Sequence, residues 1–182
     1  MCHLLPFDIA ETNISYYALC ALMFSVGLSV GNDPQTLKNF RSLNPRLVFL
    51  PIMTILGTLA GSAAVSLILT HRSITDCLAV GSGFGYYSLS SIFIIEYKGA
   101  ELGTIALLAN ISREILTLLA APLLVRWFGN LAPISAGGAT TMDTTLPIIT
   151  RTAGQQFVVV SIFHGFVVDF SVPFLVTLFC SI

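Results

Sequence analysis

Apolar residues in this chain gather in runs long enough to cross a bilayer, separated by short polar stretches. Six such segments can be marked: Ile14–Val30, Leu47–Thr70, Ile74–Ile95, Leu102–Trp127, Leu131–Ile149 and Phe157–Phe179. A helix needs about 20 apolar residues to cross the hydrocarbon core, whereas a barrel strand alternates apolar and polar over about ten. The pattern therefore predicts an all-α polytopic membrane protein, since a spanning helix pairs its own backbone groups. Two segments are unusual. The third has Gly81, Gly83 and Gly85 at alternate positions, and the fifth has Gly137 and Gly138 between Pro133 and Pro147. A glycine pair weakens a helix by about 2 kcal/mol relative to alanines. Both segments are expected to be glycine-interrupted helices. In the second, Gly57 and Gly61 form a small-xxx-small pattern that favours close helix contact.

Composition sharpens this picture. Of the 182 residues, 55% are hydrophobic and only 9% charged. That is far below the roughly 25% of soluble domains, so a lipid-facing surface is required. A net charge of −1 gives no basic field for nucleic acid. Cys2, Cys20, Cys77 and Cys180 lack metal or redox spacing, so neither a metal site nor a cofactor is expected. Residues 1–13 carry Asp8 and Glu11 but no Lys or Arg, unlike a cleaved leader. If all six segments cross fully, Lys38, Arg41, Arg46, Lys98 and Arg151 fall on one side, against Arg72 and Arg126 on the other. The positive-inside rule then puts both termini outside the cytoplasm of a bacterial inner membrane.

Ionisable side chains inside such segments are informative, because a charge at a helix centre costs roughly 2.5–3.5 kcal/mol on insertion scales. The fifth segment sets Thr140, Thr141, Thr144 and Asp143 just after Gly137 and Gly138. Freed carbonyls, hydroxyls and a carboxylate there could form a cation site, as discontinuous helices do in transporters. Alternatively, the glycines and threonines only pack, and Asp143 caps the second half-helix. In the third segment, Tyr86, Tyr87, Ser88 and Ser90 suit a solute, and the glycines beside them read as either a packing or a site feature. The fourth holds Asn110, Arg113 and Glu114. They read either as a structural buried pair or as Glu114 carrying a cation with Arg113 as its counter-charge. The sixth holds His164, whose charge can change near neutral pH, and Asp169.

The stretches GSGFGYYSLSS (81–91), LGTIALLANISREILTLLAAPLL (102–124), LAPISAGGATTMDTTLPIITR (131–151) and the His164-Gly165 pair resemble the bacterial lysine exporter family. The run from Gly137 to Pro147 is the most specific part. The resemblance implies a secondary transporter that moves lysine and related cationic amino acids out of the cytoplasm, coupled to protons or sodium. It implies an intramembrane acid at Asp143. Members of this family usually have about eight spans, the additional ones coming first. The resemblance therefore reads the chain as one integral membrane transporter domain, 1–182, without those spans, with a short separately encoded membrane subunit or a second copy as a candidate partner. Asp169 departs from the pattern, standing where a small or apolar residue is expected.

An enzyme is not expected: no HExxH motif or aspartyl-protease pair is present, and no nucleotide-binding loop points to direct use of ATP. A transporter of organic anions, using Arg113 and half-helix N-termini, and a non-transporting membrane subunit are the alternatives.

Overall fold

A computed structural model describes residues 45–69 and 71–182, together with the single position Phe24. The chain divides into two compact units, 1–38 and 39–182, and residues 45–182 lie in the second. The first hydrophobic segment, with Lys38 and Arg41, lies outside the described residues.

The described residues are helical and contain no strand. Seven α-helices succeed one another: α1 (Phe49–Ile68), α2 (Ile74–Gly81), α3 (Tyr87–Lys98), α4 (Ala100–Phe128), α5 (Ala132–Gly137), α6 (Leu146–Ala153) and α7 (Val158–Ser181). Short 3-10 turns occupy Pro45–Val48, Gly138–Met142 and Gln155–Phe157. Three of these helices, α1, α4 and α7, are long and apolar enough to cross a membrane. The 29 residues of α4 rise about 43 Å, beyond the roughly 30 Å hydrocarbon core, so α4 has length to tilt.

The third and fifth segments do not cross. Each is a pair of short helices that enters from one end of the bundle and returns to it. Arg72, before α2, pairs with Glu101 at the start of α4. Asp76 in the first turn of α2 lies 3.8 Å from Lys98, the last residue of α3. Both α2 and α3 pack against α7. The opposite end is fastened by an apolar cluster of Ile134, Ile149, Ala153 and Val160, with Leu47, Leu50, Val125 and Phe157 packed against it. That cluster joins the start of α1, the end of α4, both ends of the α5/α6 pair and the start of α7. The 8 residues of α2 rise about 12 Å and the 12 of α3 about 18 Å, so neither spans alone.

The architecture is thus span, hairpin, span, hairpin, span. The α2/α3 hairpin dips in from the Arg72 end and the α5/α6 hairpin from the Arg126 end. A span followed by a hairpin occurs twice with opposite direction, the relation of an inverted-topology repeat. This corrects the full crossing expected of the third and fifth segments. Arg72 and Lys98 share one end, and Arg46, Arg126 and Arg151 belong to the other. A Cβ on Gly57 or Gly61 meets nothing within 4 Å among the described residues. It is Ser62 of α1 that α2 approaches through Gly81.

Candidate functional site

The two hairpin tips meet between the three spans. Ala139 N–H, in the second tip, donates to the Phe84 carbonyl in the first at 3.0 Å. Backbone can approach this closely only where side chains are absent. Gly138 has φ +65°, and a Cβ there would overlap the Phe84 carbonyl oxygen; a Cβ on Gly85 (φ +95°) would sit 3.2 Å from the Gly137 carbonyl. Phe84 itself is fully buried with φ +46°, a conformation rare for a side-chain-bearing residue.

One face of α4 holds both tips. Asn110 is buried, and its Oδ1 accepts from Gly85 N–H at 2.7 Å. Its Nδ2 donates to the Ala106 carbonyl at 2.9 Å and the Val80 carbonyl at 3.3 Å. The amide therefore bridges the end of α2 and the approach to α3, satisfying groups the broken helix leaves open. One turn on, Arg113 donates from Nε to the Ala136 carbonyl at 2.8 Å and from an Nη to the Ser135 carbonyl at 3.1 Å. The other Nη reaches Thr58 Oγ1 at 3.4 Å, and the guanidinium lies 6.0 Å from the Phe84 ring centre. A cation on the last carbonyls of α5 complements the negative end of that helix. Glu114 is half-buried and makes no ion pair with Arg113.

The other side of the second tip rests on α7. Thr141 Oγ1 lies 2.8 Å from the Gly138 carbonyl, 2.9 Å from the Ser161 carbonyl and 3.2 Å from His164 Nδ1. His164 Nε2 is 2.9 Å from Thr54 Oγ1 on α1. The single hydroxyl proton of Thr141 goes to a carbonyl, so His164 Nδ1–H donates to Thr141 and Nε2 accepts from Thr54. His164 is fully buried and links α1, the tip and α7. Gly165 makes room for this contact: a Cβ there would be 2.7 Å from Met142 N. Thr140 Oγ1 donates to the Gly137 carbonyl at 3.0 Å and lies 3.3 Å from Thr145 Oγ1.

These residues hold the tips and leave others open. Asp143 and Thr144 are exposed, and Asp143 Oδ1 accepts from Thr144 N–H at 2.6 Å. Tyr87 and Ser88, also exposed, open the first turn of α3, which has no side-chain cap. Asp169 on α7 is 4% exposed, and its Oδ1 has no hydrogen-bond partner among the described residues. Asp169 is within electrostatic reach of Asp143. The second tip and α3 both pack against α7, so Asp143, Asp169, Tyr86 and Ser88 lie on adjoining elements. Tyr86 stands at the foot of the glycine run, directly before the helix that resumes there. Among the described residues, no group of three or more His, Cys, Asp or Glu could hold a metal ion.

A cavity of about 760 Å³ runs between α1, α2 and α4 from His71, Arg72 and Asp76 at one end of the bundle down to Asn110 and Arg113. Its walls are mostly apolar, and Thr58 and Ser62 face it from α1.

This architecture is accompanied by a sequence match. The family model described as "Lysine exporter LysO" matches residues 1–180. The chain belongs to the lysine exporter LysO family. It is 36% identical over 170 residues to "Lysine exporter LysO" of Escherichia coli (strain K12), an alignment covering 93% of this chain and 56% of that protein. It is 35% identical over 165 residues to "Putative lysine exporter" of Haemophilus influenzae, covering 91% of this chain and 83% of that one. The chain spans about half the length of the Escherichia coli relative. No solved structure matches it. Family membership and three apolar spanning helices together make this a multi-pass membrane protein of a transporter family.

Proposed function

We propose that this protein is a gradient-coupled secondary transporter that exports lysine and related cationic amino acids, with its substrate site at the meeting point of the two hairpin tips. The observation that carries this reading is the pair of broken hairpins entering from opposite ends and flanked by Asp143 and Asp169. Such breaks present open helix N-termini for an anionic group and carboxylates for a cationic one. Lysine has both groups: its α-carboxylate suits the uncapped first turn of α3 at Tyr87 and Ser88, and its side-chain ammonium suits Asp143. Thr144 and Tyr86 border the same space. Asn110, Arg113, His164, Thr140, Thr141, Gly137 and Gly138 act as the frame that fixes the tips. Glu114 is the remaining intramembrane acid of α4 and a further candidate for carrying a cation. The names of the Escherichia coli and Haemophilus influenzae relatives support lysine as cargo.

The positive-inside rule assigns the Arg46, Arg126 and Arg151 end to the cytoplasm and the C-terminal end of α7 to the outside. The cavity above Arg113 would then open outward. Organic anions are disfavoured as cargo, because each guanidinium nitrogen of Arg113 already faces a protein acceptor. The test is lysine efflux from cells lacking their own exporter, expressing this chain alone or with a short membrane subunit. Efflux that is lost in Asp143→Asn, at equal membrane abundance, is expected. No lysine efflux from any well-expressed combination would sink the assignment.

A further inference from the structure

The cavity between α1, α2 and α4 carries charge at its two ends and none between them. Small-molecule sites typically enclose about 300–1,000 Å³ and are mostly apolar, with a few polar groups that orient the ligand. This one measures about 760 Å³ and fits that description. Neither Asp143 nor Tyr87 lines it, so it is separate from the site at the hairpin tips.

Arg113 closes the inner end. A guanidinium has five N–H groups. The Ala136 and Ser135 carbonyls and Thr58 Oγ1 take one each, the last at 3.4 Å. Each terminal nitrogen keeps one N–H without an acceptor among the described residues. No Asp or Glu among them pairs with Arg113. A fork with N–H groups to spare suits a carboxylate. Asp76 stands at the outer end, with Oδ1 3.8 Å from Lys98. Its Oδ2 has no ion-pair partner among the described residues. Arg72 beside it is paired with Glu101.

The helices set the distance between the two charges. From Asp76 to Val80, α2 rises about 6 Å, and the Val80 carbonyl accepts from Asn110. From Asn110 to Arg113, α4 rises about 4.5 Å further. Both helices run inward from the Arg72 end, so the two residues stand roughly 10 Å apart along the bundle at backbone level. In lysine, six bonds of about 1.5 Å join the carboxylate carbon to the ε-nitrogen, roughly 7 Å end to end. With a hydrogen bond of about 2.9 Å at each end, an extended lysine covers the distance.

We propose that this cavity is a second binding site for the amino acid, on the exit side of the tips, with the substrate carboxylate on Arg113 and its ε-ammonium on Asp76. This rests on the cationic amino-acid reading above and adds a position that the substrate occupies after leaving Asp143. The methylenes of lysine lie along Val80, Leu102 and Ile105, which line the walls. Its α-ammonium faces the hydroxyls of Thr58 and Ser62. A dicarboxylate brings the wrong charge to Asp76, and a diamine brings the wrong charge to Arg113. The site therefore selects a molecule with opposite charges at its two ends.

The test is equilibrium binding of radiolabelled lysine to the full-length chain in lipid nanodiscs, with thermal melts to establish that each variant is folded. The parent is expected to bind one lysine at the tips and another in the cavity. Asp143→Asn should keep the cavity site. There, ε-aminocaproate, which has a carboxylate and one ammonium, should displace lysine, and cadaverine, which has two ammoniums, should not. Adding Asp76→Asn or Ile105→Trp to Asp143→Asn should abolish the remaining binding; the tryptophan fills the cavity without removing a charge. Binding that survives either addition in a folded protein overturns the proposal. So does a folded Asp143→Asn protein that binds no lysine while the parent does, a result that upholds the cationic amino-acid reading. Binding that depends on Asp76 but not on Asp143 upholds the cavity site and moves the first site away from the tips. A folded parent that binds no lysine overturns both readings.

Discussion

Replacing Gly138 with alanine puts a methyl group where the two hairpin tips touch. Gly138 has φ +65° and ψ −126°, which a side-chain-bearing residue adopts only under strain of about 1–3 kcal/mol. The added Cβ also overlaps the Phe84 carbonyl, which accepts from Ala139 N–H at 3.0 Å. The overlapping atom is backbone rather than a flexible side-chain end, so the tips must separate and that hydrogen bond, worth about 1 kcal/mol, is lost. The two effects together cost roughly 2–4 kcal/mol. At about 2–4 °C per kcal/mol for a chain of this size, the melting temperature should fall by roughly 5–15 °C. Thermal unfolding in detergent, monitored by helical circular dichroism, reads this directly. Gly57→Ala is the control, because a Cβ there meets nothing within 4 Å among the described residues. It should melt at or slightly above the parent, as alanine gains up to about 1 kcal/mol in a helix. A Gly138→Ala protein as stable as the parent would refute the contact between the tips.

The same geometry makes two further outcomes testable. Arg113→Lys keeps the charge but cannot bond the Ser135 and Ala136 carbonyls together, so a loss of roughly 1.5–3 kcal/mol is expected, and Arg113→Met should lose more; equal melting temperatures for all three would contradict the role of the fork. Cysteines introduced by Arg72→Cys and Lys98→Cys, each in a cysteine-free background, should react with an impermeant reagent from the same side of the membrane, and reaction from opposite sides would restore a full crossing for the third segment.

Much of the architecture can be read from residue order alone. The runs Phe49–Ile68, Ala100–Phe128 and Val158–Ser181 are long apolar helices at or near the expected bounds. The breaks at Gly81–Gly85 and Gly137–Gly138 arise because glycine weakens a helix. What the pattern hides is that both broken segments turn back. Hydropathy measures the length of an apolar run, and Ile74–Ile95 is long enough to cross. Counting Lys and Arg cannot detect the error either. With two hairpins in place of two crossings, Lys98 and Arg126 exchange sides, and the described cations Arg46, Arg72, Lys98, Arg126 and Arg151 still divide three against two. The clue available was that each half of a glycine-split segment is too short to span by itself.

The threonines show a different limit. Composition marks Thr140, Thr141 and Thr144 alike, yet Thr140 and Thr141 are buried with their hydroxyls bonded inside the tip, and Thr144 is exposed beside Asp143. Which hydroxyl faces outward depends on the 3-10 turn at Gly138–Met142, which no periodicity signals. Arg113, adjacent to Glu114 in sequence, likewise turns to the carbonyls that α5 supplies rather than pairing with that acid.

The central claim is that the two hairpin tips together form the lysine site. The direct measurement is the rate at which single cysteines at Ser88→Cys, in the first tip, and Thr144→Cys, in the second, react with a small thiol reagent, with and without lysine, in variants that retain lysine efflux. The account predicts that lysine slows labelling at both positions and that a dicarboxylate of similar size slows neither. Unchanged labelling at both tips, in protein that still exports lysine, would contradict it.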